Sequence, residues 1–422
     1  MVEIRTIFLE DYKQLSPHSG RKKIRLFSAE RATIESFMSF RDDTDWAAVV
    51  QILPDTGKIG TAVEFLKSKM VWDILVELYD SHFSEQEFNL FYWTLISMYL
   101  PLFHLMQSEG LSADIYHPLS TGYAGLMSLL FSLKYQQPLV LTEHGIYARE
   151  REEEIINAEW VDSAYKKIWI KYFYFLSRGV YKHAVRTVAL FENNSRIQQQ
   201  LGLDRAKALV IPNGVDLNRN LPRGRLGDGT NIGAILRVVP IKDVKTLIKS
   251  FRLVQNALPP TKLWIIGGVD EDVRYFEECK RLIEMFNLGD KVIFTGQVNI
   301  AEHLLKLDLV VLTSISEGQP LVMLESMAVG IPVVATNVGS CRELIEGAVG
   351  DELGAAGLVV PPNSPDNTAE AILRLLRNQA LREQMGKVAR QRVEQYYSQE
   401  KFIDNYRQLY QDVYAANKAG TK

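Results

Sequence analysis

Two glutamates eight residues apart stand in a segment suited to binding a polar ligand. Glu317 and Glu325 follow an apolar run at residues 309–313 that is typical of a buried strand. A helix predicted over residues 320–329 would present free amide groups and a partial positive charge that attract a phosphate. Glu317 would then accept hydrogen bonds from hydroxyls near the loop, and Glu325 from a ribose. A capping side chain and a solvated helix glutamate account for the same pattern equally well.

A basic pair follows another apolar run. Arg237 and Lys242 come directly after residues 231–236, which also predict a buried strand. In doubly wound sheets, ligands bind at the carboxyl ends of the strands, where such loops meet. A guanidinium fork and an ammonium group both suit a diphosphate. Alone, the pair is equally compatible with two solvated loop charges. Combined with a phosphate-binding helix end in the same sheet, it predicts a pocket for a nucleoside diphosphate.

Two histidines occupy comparable positions in the N-terminal half. His117 follows a short strand segment that ends at residues 115–117, and His144 follows a strand predicted over residues 139–142. Both loops would face a ligand, although a pair of hydrogen-bonded structural histidines is the alternative. Two histidines and one glutamate without close spacing do not form a metal-binding pattern. We therefore expect no catalytic metal and no cofactor.

The elements that position these residues alternate between strands and helices. Short solid apolar runs separated by stretches of helical period are typical of a parallel sheet covered on both faces. The C-terminal half predicts six strands, at residues 231–236, 262–266, 291–295, 309–313, 332–336 and 358–360. The N-terminal half predicts strands at residues 4–9, 47–53, 115–117, 139–142 and 187–190, and a long helical segment at 152–178. A segment rich in glycine, proline and asparagine, residues 212–228, predicts a hinge.

Length and composition exclude several classes of protein. The chain has 422 residues, enough for two or three domains, and its 47% apolar and 23% charged residues are ordinary for a globular protein. A net charge of −3 gives no overall attraction to nucleic acid or to an anionic membrane. Two cysteines, Cys279 and Cys341, are too few for a disulfide scaffold. With no signal-peptide core at the N-terminus, we expect a reduced, cytoplasmic protein.

Two segments raise the question of membrane contact. Residues 88–107 carry no charge and are long enough to span a bilayer, but Pro101 and several polar residues favour a buried helix. Residues 165–181 interleave lysines and an arginine with aromatic residues. A core helix whose lysines extend to solvent is favoured there over a helix on a membrane surface or partner.

These motifs together resemble the retaining glycosyltransferases of the large GT-B family four. Glu317 with Glu325 resembles the paired-glutamate motif of that family, and residues 237–242 resemble its basic diphosphate-binding segment. The run Ile211-Pro-Asn-Gly-Val-Asp216 is similar to the signature that precedes the second domain. Residues 120–125, 142–152 and 313–325 resemble a subgroup that acts in the synthesis of Pel exopolysaccharide.

The resemblance implies an α/β fold of the GT-B type, with two Rossmann-like domains facing a cleft. The N-terminal domain would cover residues 1–218 and the nucleotide-sugar domain residues 219–398. A C-terminal helix over 399–422 would pack back on the first domain. Because the glycine-rich loop of the family is not found before Gly110, the first β-loop-α unit is expected to be shortened or absent.

The implied activity is transfer of a hexose from UDP-glucose, with UDP-N-acetylhexosamines as competing donors, to a growing exopolysaccharide. Partners would be the UDP-sugar, the polysaccharide acceptor and inner-membrane components of a Pel synthase, at the cytoplasmic face of that membrane, with no nucleic acid. The alternative is a non-catalytic subunit that keeps the fold and scaffolds a membrane synthase.

The resemblance also assigns roles to residues. Arg237 and Lys242 would hold the diphosphate and stabilise the leaving UDP, and Glu325 would hold the ribose. His117 would contact the sugar or the reacting centre, and His144 would line the acceptor side. The sugar hydroxyls would meet Glu317 and the loop Gly318, Gln319, Pro320 and Leu321, and the uracil would lie near Gly296, Gln297 and Val298.

Overall fold

The computed structural model describes residues 24, 26–217, 229–304 and 306–420, and the chain divides into two compact units. The first unit comprises Met1–Ala189, Ser195–Leu209 and Leu409–Lys422, and the second comprises Leu190–Asn194 and Val210–Gln408. The strand predicted at residues 4–9 lies outside the described residues, so that prediction and the expected loss of the first β-loop-α unit remain predictions.

Helices and strands alternate through most of the described chain. The helices α1–α18 are, in order, Ser28–Met38, Trp46–Ile52, Thr56–Ile59, Ala62–Leu66, Lys69–His82, Phe88–Met106, Tyr123–Tyr135, Tyr147–Asn157, Lys166–His183, Glu192–Gln200, Val244–Ala257, Val273–Met285, Ile300–Leu304, Leu321–Ala328, Cys341–Glu346, Pro365–Arg377, Gln379–Tyr396 and Gln399–Gly420. The strands β1–β9 are Val140–Glu143, Arg186–Ala189, Ala208–Val210, Asn231–Ile235, Lys262–Ile266, Val292–Gly296, Leu309–Leu312, Val333–Thr336 and Gly357–Val360.

The first unit contains a small sheet with the strand order β1-β2-β3. β1 and β2 pair in parallel, with Val140 opposite Arg186, which confirms the strands predicted at residues 139–142 and 187–190. The segment at residues 115–117 forms only an isolated parallel bridge, from Tyr116 to Leu139. His117 therefore lies alongside β1, one residue after the Tyr116–Leu139 bridge, whereas His144 directly follows the end of β1.

Two predictions for the first unit are wrong. Residues 47–53 form helix α2 rather than a strand, because the Asp45 carboxylate accepts hydrogen bonds from the Ala47 and Ala48 amides and caps the helix. The helical segment predicted at 152–178 is broken into α8 and α9. Asp162 accepts a hydrogen bond from the Ala164 amide and starts a short 3-10 turn immediately before α9.

The two segments that suggested a membrane both belong to the core. α6 buries Phe91, Leu95 and Tyr99 in the main apolar cluster of the first unit. α9 contributes Trp169 and Tyr172 to the same cluster, as expected of a core helix. Across the described ranges, no helix combines the length and the apolar character needed to cross a membrane.

The second unit is built on a six-stranded parallel sheet with the order β6-β5-β4-β7-β8-β9. This confirms the six strands predicted from the C-terminal half. Alternate residues of β7 enter different apolar clusters, Leu309 and Val311 on one face and Val310 and Leu312 on the other. The strand order reverses direction between β4 and β7, which is where doubly wound sheets bind their ligands.

After contributing Leu190–Asn194 to the second unit, the chain returns to it at Val210, ahead of the expected boundary at residue 218, and stays in it to Gln408. Val215 explains this placement, because its amide donates to the Tyr397 carbonyl and its carbonyl accepts from the Gln399 amide. Residues 218–228 of the predicted hinge lie outside the described residues. The end of α18 belongs to the first unit, where Asn417 donates from Nδ2 to Oε1 of Gln137 at 2.9 Å.

Candidate functional site

The loop after β4 carries the two basic residues of the predicted pocket. Arg237 lies exposed just beyond the strand, and a 3-10 turn, Pro240–Lys242, places Lys242 before α11. Asp243 then adopts a left-handed conformation, with φ of 45°, and its side chain accepts from the Thr246 amide. Aspartate tolerates this conformation better than most residues other than glycine, because its short polar side chain can bond to the local backbone.

The loop after β7 is attached to the loop after β4. These two strands are neighbours, with Ile232 opposite Leu309. The Ile315 amide donates to the Ile241 carbonyl at 2.9 Å, and the Thr313 hydroxyl donates to the Lys242 carbonyl at 3.1 Å. The parallel register and these cross-links bring the glutamate loop against the basic loop.

The two cations of this edge each pair with a carboxylate. Lys242 Nζ lies 2.5 Å from Glu317 Oε1, and the two side chains are only 18% and 9% exposed. Arg237 Nη1 lies 2.6 and 2.7 Å from the two carboxylate oxygens of Glu271, with side chains 60% and 51% exposed. Lys242 and Glu317, which were predicted to contact different parts of one ligand, are thus in direct contact with each other, whereas Glu271 was not expected in the site.

Glycine lets the loop after β5 lie against the loop after β4. Gly267 has φ of 141°, and a Cβ there would stand 2.0 Å from the Leu236 carbonyl oxygen. The Val238 amide donates to the Gly268 carbonyl at 2.9 Å, and the Gly267 amide donates to the Gly296 carbonyl at 3.0 Å. The ends of β4, β5 and β6 are therefore joined, which brings Gly296, Gln297 and Val298 to the same edge as Arg237.

The segment between Glu317 and α14 is held from both sides. Gln319 is buried, and its Oε1 accepts from the Asn213 amide at 2.6 Å. The Gly318 carbonyl accepts from the Ser340 amide at 3.0 Å, and a Cβ on Gly339 would lie 2.2 Å from the Glu317 carbonyl oxygen. Helix α14 begins after Pro320, with no side-chain cap among the described residues. Its first amides remain able to bind an anion.

In the second unit, the structure thus brings together the residues predicted to bind the donor. They all lie at the carboxyl edge of one sheet or at the start of α14: Arg237, Lys242, Gly296, Gln297, Val298, Glu317, Gly318, Gln319, Pro320, Leu321 and, half-buried in α14, Glu325. Their individual roles stay predictions.

His117 lies in the first unit and is engaged on both ring nitrogens. Nδ1 is 2.7 Å from the Tyr410 hydroxyl, and Nε2 is 2.8 Å from the Thr142 hydroxyl. Burial lowers the pKa of His117 to about 4, so the imidazole is neutral at pH 7. His144 is exposed at the end of β1.

Glu143, next to His144, is the one glutamate that the sequence places near the two histidines, and its carboxylate is fully buried. Its Oε2 accepts from the Tyr181 hydroxyl at 2.6 Å and from Gln198 Nε2 at 3.0 Å. Thr121 donates to Oε1 at 3.2 Å. Burial raises the pKa of Glu143, although these donors act in the opposite direction. The network connects the end of β1 to α9 and α10, and no local pattern signals it.

Metal binding would require several close ligands. Within the described parts of the chain, no three His, Cys, Asp or Glu side chains are grouped so that they could hold a metal ion. The expectation of a metal-free reaction stays a prediction.

Comparison with known families covers most of the sequence. Residues 226–392 match the family Glycosyl transferases group 1, and residues 1–206 match a domain of unknown function, DUF3492. The match to the group 1 glycosyl transferases includes the basic pair and both glutamates. The two α/β units with parallel sheets have the GT-B fold.

Individual proteins agree with this assignment. The chain is 30% identical over 181 residues to N-acetyl-alpha-D-glucosaminyl L-malate synthase of Bacillus anthracis, covering 43% of this chain and 45% of that relative. Sucrose-phosphate synthase of Thermosynechococcus elongatus has a similar fold, with a TM-score of 0.59, 21% identity and coverage of 78% and 79% of the two chains. HepE of Anabaena, solved with UDP, gives a TM-score of 0.59 at 16% identity over 93% of this chain and 98% of that chain.

Proposed function

We propose that this protein transfers a hexose from a UDP-hexose, UDP-glucose before the UDP-N-acetylhexosamines, to a growing exopolysaccharide, with retention of anomeric configuration. The observation that carries the proposal is the contact between Lys242 and Glu317 beside the uncapped start of α14. HepE, which shares the fold, has been solved with UDP-glucose as well as with UDP. The sequence runs that resemble the Pel glycosyltransferase PelF support a Pel-type acceptor and synthase partners at the membrane.

The ion pairs indicate how the donor would be bound. A diphosphate replaces the carboxylates as the partner of Arg237 and Lys242, whose positive charges match its negative charge. Glu317 then accepts hydrogen bonds from sugar hydroxyls, and Glu325 from the ribose. As the bond between sugar and phosphate breaks, negative charge builds on the UDP oxygens, and the two cations and the α14 amides stabilise it. No step requires a covalent bond to the protein.

The experiment is calorimetric titration of the purified chain with UDP, alongside measurement of UDP-glucose hydrolysis and transfer. Lys242→Ala should weaken UDP binding about 10- to 150-fold, the range expected for losing a hydrogen bond to a charged group. Lys249→Ala removes the same charge from an exposed position on α11 and serves as the matched control. Glu317→Gln should retain UDP binding and lose turnover, because Glu317 contacts the sugar.

The outcomes distinguish an active transferase from a protein that has the same fold without the activity. Binding with turnover that depends on Glu317 supports the transferase. Binding without turnover would favour the alternative, a scaffold subunit that keeps a nucleotide site. If UDP does not bind, or if Lys242→Ala and Lys249→Ala behave alike, the proposed donor site is wrong.

A further inference from the structure

The C-terminal helix contributes a side chain to the surroundings of His117. The Tyr410 hydroxyl on α18 is 2.7 Å from His117 Nδ1, and the two rings meet edge to face at 5.6 Å and 74°. Thr142, at the end of β1, contacts the other ring nitrogen at 2.8 Å. Two hydroxyl groups from segments far apart in the sequence therefore hold the imidazole from opposite sides.

We infer that Tyr410 is a positioning residue that fixes the ring orientation and tautomer of His117. A hydroxyl can donate or accept a hydrogen bond, so the pair of hydroxyls satisfies both nitrogens of a neutral imidazole. Without one of them, the ring nitrogen on that side exchanges a fixed partner for mobile water, and the two tautomers become closer in free energy. The inference rests on the proposed function only in giving His117 a part in turnover.

The position of Tyr410 is set by the docking of the helix around it. Leu409 and Val413, beside it on α18, are buried. Further along, Asn417 donates to Gln137, and Lys418 Nζ lies 3.9 Å from Asp114. Together with the Tyr410–His117 contact, these two contacts join α18 to the segments on either side of the Tyr116–Leu139 bridge. The hydroxyl of Tyr410 is therefore held in place by a helix that packs against the rest of the first unit.

The test uses the full chain labelled with ¹⁵N and long-range proton–nitrogen correlation of its imidazole rings. The protein has seven histidines, so His117→Gln identifies the His117 signals by their loss. Tyr410→Phe should shift the Nδ1 resonance of His117 and bring the tautomers toward averaging. Thr142→Val should instead act first on the Nε2 resonance. Tyr414→Phe, an exposed tyrosine one turn further along α18, is the matched control and should leave His117 unchanged.

Measurement of kcat and KM provides a second test of the inference. Tyr410→Phe should lower kcat for UDP-glucose about 3- to 10-fold, the effect of one neutral hydrogen bond, and leave KM within twofold. KM should be nearly unchanged because the proposed contacts to the UDP part of the donor all belong to the second unit. Unchanged His117 resonances in Tyr410→Phe, or equal changes in Tyr414→Phe, would overturn the inference. A shifted resonance with an unchanged kcat would overturn the role in turnover. If the wild type proves to have no transferase activity, the resonances alone decide.

Discussion

Replacing Glu271 by glutamine should tighten the binding of UDP. The Glu271 carboxylate holds Arg237 through two contacts of 2.6 and 2.7 Å from one guanidinium nitrogen. A diphosphate that binds Arg237 has to break this ion pair or share its charge. Glu271→Gln keeps the shape of the side chain and removes the negative charge that competes with the ligand.

The size of the effect follows from exposure. The two side chains are 60% and 51% exposed, and exposed ion pairs contribute about 0–1 kcal/mol. Removing the competitor should therefore lower the Kd for UDP by up to about fivefold. Because salt screens exposed charges, the gain should be largest at low ionic strength and fade near 1 M salt.

Calorimetric titration with UDP at low and high salt measures this gain. Asp270→Asn removes one negative charge from an exposed neighbour in the same loop, and it should give a smaller change. In an Arg237→Ala background, Glu271→Gln should have little effect, since its partner is gone. Equal gains in Glu271→Gln and Asp270→Asn, or an undiminished gain without Arg237, would refute the competition.

Two further predictions concern how the second unit is held together. Gly267→Ala should weaken UDP binding at least tenfold, since its Cβ would lie 2.0 Å from the Leu236 carbonyl oxygen and force apart the loops that carry Arg237 and Glu271. Gly289→Ala, where a Cβ meets open space, is the calorimetric control, and equal effects of the two would contradict the reasoning. Arg392→Met should lower the free energy of unfolding in urea by about 3–5 kcal/mol, because it leaves the buried Asp351 carboxylate without the guanidinium 2.6 Å away. Burial raises the pKa of Asp351, but the Arg392 guanidinium and hydrogen bonds outweigh this and hold it below its usual value, so the wild-type advantage should disappear as acid protonates Asp351. The exposed Arg390→Met should change stability by less than about 1 kcal/mol, and a similar loss in both variants would contradict the assignment.

The second unit was predictable because its central strands β7 and β8 are buried on both faces. β7 is an uninterrupted apolar run, β8 is apolar up to its last residue, and each is followed by a helix, so the sequence itself carries the alternation of a parallel sheet. Residues 47–53 are apolar except for Gln51, but residues 47–52 belong to α2. Their valines favour a strand only weakly, and the outcome depends on the Asp45 cap and on burial against other helices.

The same distinction, between a pattern carried by the sequence and an outcome that depends on packing, applies to the candidate site. Lys242 and Glu317 each follow a strand end, and the rule that ligands bind at such ends placed both in one predicted pocket. Glu271 pairs with Arg237 across 34 residues, and Tyr410 reaches His117 across 293. Neither contact has a periodic or local pattern, because each depends on how separate elements dock. Sequence reasoning therefore found the residues proposed to bind a ligand and missed Glu271 and Tyr410, which contact two of them.

The Arg237–Glu271 and Lys242–Glu317 ion pairs of the candidate site differ in how easily a ligand can replace the carboxylate. Arg237 and Glu271 are exposed, so a phosphate group displaces the carboxylate into water at little cost. Glu317 is 9% exposed, and a diphosphate that draws Lys242 away leaves it beside new negative charge with no water to solvate it. On the proposed function, a sugar attached to the diphosphate removes this penalty, because its hydroxyls donate to Glu317 while its phosphates take Lys242. The Lys242–Glu317 ion pair therefore favours binding of a complete sugar nucleotide over binding of a nucleotide without its sugar. For the same reason, the product UDP is the poorer ligand once the sugar has been transferred.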